Sequence, residues 1–109
     1  MNNSPYQQCI EASLRCASVC NSCAAACLQE PDVNMMKDCI KLDMECAALC
    51  YTAAEVMSIN GQSAPQLCSL CAEVCEACAA ECANHKADHC RQCANICRQC
   101  AEACRKMAA

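Results

Sequence analysis

Small apolar residues, mostly Cys and Ala, recur along the chain at steps of three and four positions, with polar residues between them. The clearest runs place cysteine at positions 68, 71, 75, 78 and 82, and again at 90, 93, 97, 100 and 104. Steps of three and four residues return to the same side of an α-helix. Each run therefore predicts a helix that carries a continuous row of thiols along one face.

Breaks in this pattern divide the chain into four segments. The predicted helices cover residues 4–29, 33–59, 64–84 and 88–107. Ser4 and Pro5 form a helix-start signal, and Pro31 disfavours helix at the residue before it. Asn60 and Gly61 form a helix-end signal. Because the connections are short, neighbouring helices are expected to be antiparallel. The predicted fold class is all-α: an up-down-up-down four-helix bundle with a cysteine-lined core, in a single domain over residues 1–109.

Cysteine occupies the positions that Leu or Ile fill in an ordinary bundle core. The row is interrupted at Ser13 in the first predicted helix and at Asp43 in the second. All eighteen cysteines are candidate metal ligands: Cys9, Cys16, Cys20, Cys23, Cys27, Cys39, Cys46, Cys50, Cys68, Cys71, Cys75, Cys78, Cys82, Cys90, Cys93, Cys97, Cys100 and Cys104.

Net charge and hydropathy reduce the number of functional classes to which the chain could belong. The net charge of −4, without a basic patch, argues against binding of nucleic acid. No apolar run approaches the ~20 residues that span a bilayer, which argues against a membrane protein. The first eight residues lack the basic and apolar regions of an export signal. We therefore expect a cytoplasmic protein whose thiols are reduced.

Two explanations of the cysteines other than metal binding are weaker. Ala or Val would pack as well as buried Cys without the hazard of oxidation. Residues three or four apart on a helix have Cβ atoms about 5–6 Å apart, against the ~3.8 Å of a disulfide. Thiolates are soft ligands that favour Cu(I), Zn(II) or iron–sulfur clusters. The rows are therefore interpreted as metal ligands.

Charge balance favours Cu(I) among these metals. One monovalent ion per thiolate leaves a neutral interior, whereas four thiolates around Zn(II) leave two excess negative charges. The prediction is storage of multiple Cu(I) ions without enzymatic activity. A zinc or cadmium thiol store remains the alternative. An iron–sulfur electron carrier is less favoured, because the ferredoxin run Cys-x-x-Cys-x-x-Cys is absent.

The whole chain resembles the bacterial copper storage proteins, which are four-helix bundles lined with cysteine. The resemblance rests on the paired runs over 68–78 and 89–97, and on the segment 39–50 of the second predicted helix. It implies storage of many Cu(I) ions, a cytosolic member of the family and a homotetramer. Copper ions are the implied partners, and the donor and acceptor of copper are not indicated.

Five further residues are candidates for a role in metal handling. In an antiparallel bundle, His85, His89, Met35 and Met36 would gather at one end, where they are candidate uptake ligands for Cu(I). The alternative is that the histidines lie idle on the surface and the methionines only fill gaps. Asp43 is a candidate outer ligand or hydrogen-bond acceptor, or else it lies in solvent at the edge of the core.

Overall fold

The computed structural model describes residues 4–109. Its regular secondary structure in this range is entirely helical, with no strand. The elements are α1 (Gln7–Cys27), a 3-10 helix (Val33–Met36), α2 (Lys37–Ser58), α3 (Ala64–Ala83) and α4 (Asp88–Met107). No helix in the described range is both long and apolar enough to cross a membrane.

The four α-helices pack as a ring in which each contacts its two neighbours. Cys27 Sγ, at the end of α1, lies 3.9 Å from Cys39 Sγ, at the start of α2. Cys9 Sγ, near the start of α1, lies 3.6 Å from Cys104 Sγ, near the end of α4. These contacts confirm the predicted antiparallel up-down-up-down bundle.

The bundle has two ends, which we name for the residues that distinguish them. The His89 end holds the α1–α2 and α3–α4 connections, residues 28–36 and 84–87. The Met57 end holds the α2–α3 connection, residues 59–63, together with the start of α1 and the end of α4.

The boundaries of the first helix differ from the prediction. It begins at Gln7 rather than at residue 4, because Ser4 Oγ accepts a hydrogen bond from the Tyr6 backbone N–H at 3.1 Å and holds a turn there. It ends at Cys27, and residues 28–30 form turns ahead of Pro31. The predicted domain also includes residues 1–3, which lie outside the described part of the chain, so the single-domain assignment stays a prediction.

The second helix begins at Lys37 rather than at residue 33. Residues 33–36 wind instead as a 3-10 helix, in which the Met35 N–H bonds the Asp32 carbonyl at 3.0 Å. This tighter turn buries Met36 and leaves Met35 exposed. The third helix ends at Ala83, one residue before the predicted boundary, and the fourth covers the predicted residues 88–107.

The end of α2 is a Schellman motif. Asn60 takes the left-handed conformation, with φ of 55°. The Gly61 N–H donates to the Val56 carbonyl at 2.8 Å, and the Asn60 N–H donates to the Met57 carbonyl at 3.0 Å. A Cβ atom on Gly61 would lie 2.7 Å from Val56 Cγ1. Glycine is therefore required at this position for close approach of the chain.

We expect Gly61→Ala to lower the free energy of unfolding of the reduced, metal-free protein by roughly 1–3 kcal/mol, because the added methyl group overpacks against Val56. Chemical denaturation would measure this change. Adding Val56→Ala to the same chain should recover much of the loss, since it removes the clashing methyl group. Equal stability of Gly61→Ala and the parent would contradict the steric argument.

Candidate metal centre

The cysteine rows of all four helices face the interior of the bundle. Each of the eighteen cysteines is a free thiol and is at most 2% exposed. The residues that directly follow many of them are small and buried, which lets the helices approach closely. These residues are Ala17, Ala24, Ala47, Ala72, Ala79, Ala94 and Ala101. The sequence pattern therefore produces a core whose polar content is almost entirely sulfur.

Sulfur atoms from different helices lie in contact along the axis. Cys39 Sγ is 3.4 Å from Cys82 Sγ, and Cys50 Sγ is 3.5 Å from Cys71 Sγ. Several sets of four sulfurs lie within 4.8 Å of one another, and most of these sets share members. They include Cys23/Cys27/Cys39/Cys90, Cys20/Cys78/Cys93/Cys97, Cys16/Cys20/Cys46/Cys97, Cys16/Cys46/Cys50/Cys75 and Cys50/Cys71/Cys75/Cys100. Four of these sets form a continuous series of potential metal sites. The fifth, Cys23/Cys27/Cys39/Cys90, shares no member with those four and meets them through Asp43, which contacts Cys39, Cys78 and Cys93.

The core contains no positively charged side chain. Among residues 4–109, the buried polar or charged side chains other than cysteine are Ser13 and Asp43. Burial raises the pKa of Cys68 to about 12 and that of Cys90 to about 11, because a thiolate loses its hydration there. Burial likewise raises the pKa of Cys27. Protons or metal ions must therefore neutralise the sulfur atoms locally.

Asp43 lies inside the core, which decides between the alternatives that the sequence left open. Its side chain is fully buried. Its Oδ1 accepts hydrogen bonds from Cys78 at 3.2 Å, Cys93 at 3.3 Å and Cys82 at 3.5 Å. Burial is the main cause that raises the pKa of this carboxyl to about 8, and Cys93 contributes to the rise when it is a thiolate. Asp43 is thus an oxygen donor set among sulfur donors and is largely protonated at neutral pH.

Ser13 fills the slot between Cys9 and Cys16 in the α1 row. Its hydroxyl oxygen lies 3.8 Å from Cys100 Sγ and 3.9 Å from Cys104 Sγ, with no exposure to solvent. A hydroxyl group is a harder donor than a thiolate. The α1 row therefore binds soft metals less strongly at Ser13, towards the Met57 end, than at its cysteines.

His89 is in contact with the sulfur core. Its Nδ1 lies 3.5 Å from Cys90 Sγ, 3.6 Å from Cys23 Sγ and 4.0 Å from Cys27 Sγ. Its Nε2 lies 3.0 Å from Glu30 Oε2. A carboxylate only accepts hydrogen bonds, so it holds the ring proton on Nε2 and leaves the Nδ1 lone pair facing the sulfurs.

The other three candidate uptake residues lie around a surface cleft of about 380 Å³ at the same end. His85 Nε2 bonds Glu81 Oε2 at 2.8 Å, so this histidine of the α3–α4 connection is held by a carboxylate from the last turn of α3. Met35 is 66% exposed and Met36 is 6% exposed. The cleft is lined by Glu30, Asp32, Met35, Met36, His85, Lys86 and Ala87. Glu30 therefore contacts both the cleft and His89.

The sequence reasoning missed Glu30. Glu30 directly precedes Pro31 and so lies in the connection that faces His89 across the end of the bundle. This position was the signal in the sequence that could have indicated the contact. The contact joins residues 59 positions apart, and helical periodicity predicts nothing about a side chain in a connection.

Comparison with known proteins relates this chain to copper storage proteins. The family model described as "Copper storage protein" matches residues 2–109. The cysteine-rich protein YhjQ of Bacillus subtilis (strain 168) is 45% identical over 68 residues, which are 62% of this chain and 63% of that protein. The structure of Cu(I)-bound copper storage protein BsCsp3 matches with a TM-score of 0.91 and 44% identity, over 95% of this chain and 98% of that one.

A cytosolic copper storage protein from Streptomyces lividans, solved with five coppers, matches with a TM-score of 0.86 and 44% identity. The match covers 91% of this chain and 88% of the other. The family model spans almost the whole sequence, and the cysteine-lined bundle is the fold of these relatives. The chain belongs to the copper storage protein family.

Proposed function

We propose that this chain stores many Cu(I) ions on the thiolates of its core, and that it does so without catalysing a reaction. The observation that carries the proposal is the continuous series of buried four-sulfur sets in a core without a buried cation. Such a series offers soft ligands at every level of the bundle.

Charge balance accounts for the choice of metal. Each Cu(I) that binds displaces one thiol proton, so the positive charge removed equals the charge added and the core stays neutral. A Zn(II) ion held by four thiolates leaves two excess negative charges, and burying uncompensated charge is costly. No buried Lys or Arg in residues 4–109 offsets that charge. Zinc, cadmium or an iron–sulfur cluster therefore suits this core less well than Cu(I).

The relatives support the proposal through what they contain. BsCsp3 has been solved with Cu(I), and the Streptomyces lividans protein, described as cytosolic, with five coppers. Because that relative is described as cytosolic and reduced thiols are stable in the cytoplasm, we place the present protein there. A homotetramer follows from the family resemblance and remains a prediction.

Uptake at the His89 end is the second part of the proposal. A Cu(I) ion that reaches the cleft meets Met35, Met36 and His85, and the imidazole of His89 then offers Nδ1 next to the sulfurs of Cys23 and Cys90. Glu30 fixes the orientation of that ring. From there an ion can pass inward past Asp43, which contacts Cys39 on one side and Cys78 and Cys93 on the other, and then by exchange between overlapping sulfur sets.

Anaerobic titration of the fully reduced protein with Cu(I), against a competing chelator, tests the storage function. We expect tight binding that saturates near the eighteen cysteines. A zinc-type store would saturate at roughly four or five ions, with four ligands for each. Saturation by Cu(I) at four or fewer ions would contradict the proposal and leave the thiols as packing.

We expect His89→Ala to slow Cu(I) loading while the final number of bound ions stays within about one of the parent value. Glu30→Ala should slow loading by about 10-fold, the effect typical of a residue that orients a metal ligand. Stopped-flow absorbance in the ultraviolet would follow the formation of copper–thiolate bonds. Glu76→Ala is the matched control and should load like the parent, because Glu76 pairs with Arg105 on the surface rather than with a histidine. Unchanged loading by Glu30→Ala would exclude the positioning role.

The raised pKa of Asp43 predicts that the stability of the reduced, metal-free protein depends on pH. The pKa of the carboxyl is about 8 in the folded state, against an ordinary value of 3.8. Between these values the folded state holds a proton that the unfolded state has released. The stability contributed by this proton is therefore complete at low pH and is lost as pH rises through about 8.

We expect Asp43→Asn to gain stability relative to the parent by up to about 1.4 kcal/mol for each pH unit from about pH 5 to 8, because it removes this titration. Urea denaturation at several pH values would measure the difference. Asp38→Asn, at an exposed position on the same helix, should show no such trend. A difference between Asp43→Asn and the parent that does not change with pH would contradict the raised pKa.

A further inference from the structure

We propose that Met57 and Cys68 form a mixed thioether–thiolate site for one Cu(I) ion at the Met57 end of the core; the inference rests on the proposed storage function. The simpler interpretation is that Met57 closes this end of the core as an apolar side chain. The structure adds an observation that an apolar plug does not require, namely a direct contact between two sulfur atoms.

The two residues are buried and meet through their sulfurs. Cys68 Sγ lies 3.6 Å from Met57 Sδ. Met57 is 1% exposed and Cys68 is fully buried. The Cys68 thiol donates a hydrogen bond to Met57 Sδ, and the thiol of Cys9 also neighbours Cys68 at this end. The end of the α3 row therefore faces a thioether, where sulfur atoms deeper in the core face other thiols.

The position of Met57 on α2 continues the row of that helix. The inward positions of α2 run Cys39, Asp43, Cys46, Cys50, Ala53 and Met57, at steps of three and four residues. Met57 thus occupies the slot in which a cysteine would extend the row to the end of the bundle. A thioether in that slot keeps a sulfur donor at a level where Leu or Ile would provide none.

Charge favours this pair as a Cu(I) site. One thiolate and one Cu(I) ion are neutral together, and a thioether adds a second soft ligand without adding charge. Two thiolates around an unshared Cu(I) would leave a net negative charge in a region without a buried cation, which is unfavourable. At the end of the sulfur series fewer neighbouring ions can share a thiolate. A neutral second ligand is best suited to this level.

The alternative is that Met57 only fills space, as buried methionine often does. The two interpretations differ in what happens to the thioether when copper binds. A ligand changes its electronic environment when the ion arrives and depends on the presence of Cys68. A filler residue responds only to general changes in packing, whichever cysteine is removed.

NMR of the full chain with isotope-labelled methionine methyl groups, recorded through an anaerobic Cu(I) titration, separates these cases. We expect the Met57 methyl signal, assigned with Met57→Leu, to shift as loading proceeds, while the signal of the exposed Met44 stays in place. Cys68→Ser should abolish most of the Met57 shift. Cys90→Ser, at the opposite end of the core, should leave it intact. A Met57 shift that persists in Cys68→Ser, or that is absent from the parent protein, would overturn the site.

A capacity measurement provides a second test. Met57→Leu conserves volume and usually costs less than 1.5 kcal/mol, so the fold should persist. We expect this variant to retain about one ion fewer than the parent against a chelator. If the parent fills near its cysteine count and Met57→Leu retains the same number, the Met57 site is wrong and storage stands. If the parent itself takes up four ions or fewer, the storage function fails.

Discussion

Electrical neutrality of a dry sulfur core is the constraint on which the rest of this structure depends. Eighteen thiols lie out of reach of water, and no buried Lys or Arg in residues 4–109 balances them. Each sulfur must therefore keep its proton or exchange it for a metal ion of matching charge. The raised pKa values of Cys68, Cys90 and Asp43 express the same constraint in the metal-free protein. It also explains why a soft monovalent cation is the cargo best suited to this interior.

The geometry of the helix turns this constraint into a series of sites. Steps of three and four residues place thiols one above another along each helix. Alanine beside many of the cysteines lets the four rows come together, so that sulfurs of neighbouring helices lie as little as 3.4 Å apart. Because four of the five four-sulfur sets described above share members, an ion bound in one of those four uses ligands that also belong to the next. Binding and movement along the axis then rely on the same atoms.

Much of this arrangement could be predicted from the sequence, because periodicity determines which side of a helix a residue faces. The bundle, its antiparallel order and the cysteine-lined core follow from that periodicity and the short connections. Residues outside the helical repeat were harder to predict. The start of α2 was wrong because residues 33–36 form a tighter helix. The contact of Glu30 with His89 joins the α1–α2 connection to the start of α4, which only the folded chain brings together. The burial of Asp43 stayed open because register alone does not separate the edge of a core from its centre.

The inward row of α2 differs from the cysteine-rich rows of α3 and α4, since it carries a carboxyl group at Asp43, a methyl group at Ala53 and a thioether at Met57. Donor chemistry therefore varies along the axis mainly through one helix. The interior has a polarity, with the carboxyl of Asp43 and the imidazole of His89 towards one end, and the hydroxyl of Ser13 and the thioether of Met57 towards the other. Substitutions confined to α2 can alter the order in which levels fill while the three remaining rows keep their packing. Of the four helices, α2 is thus the one whose inward row departs most from cysteine.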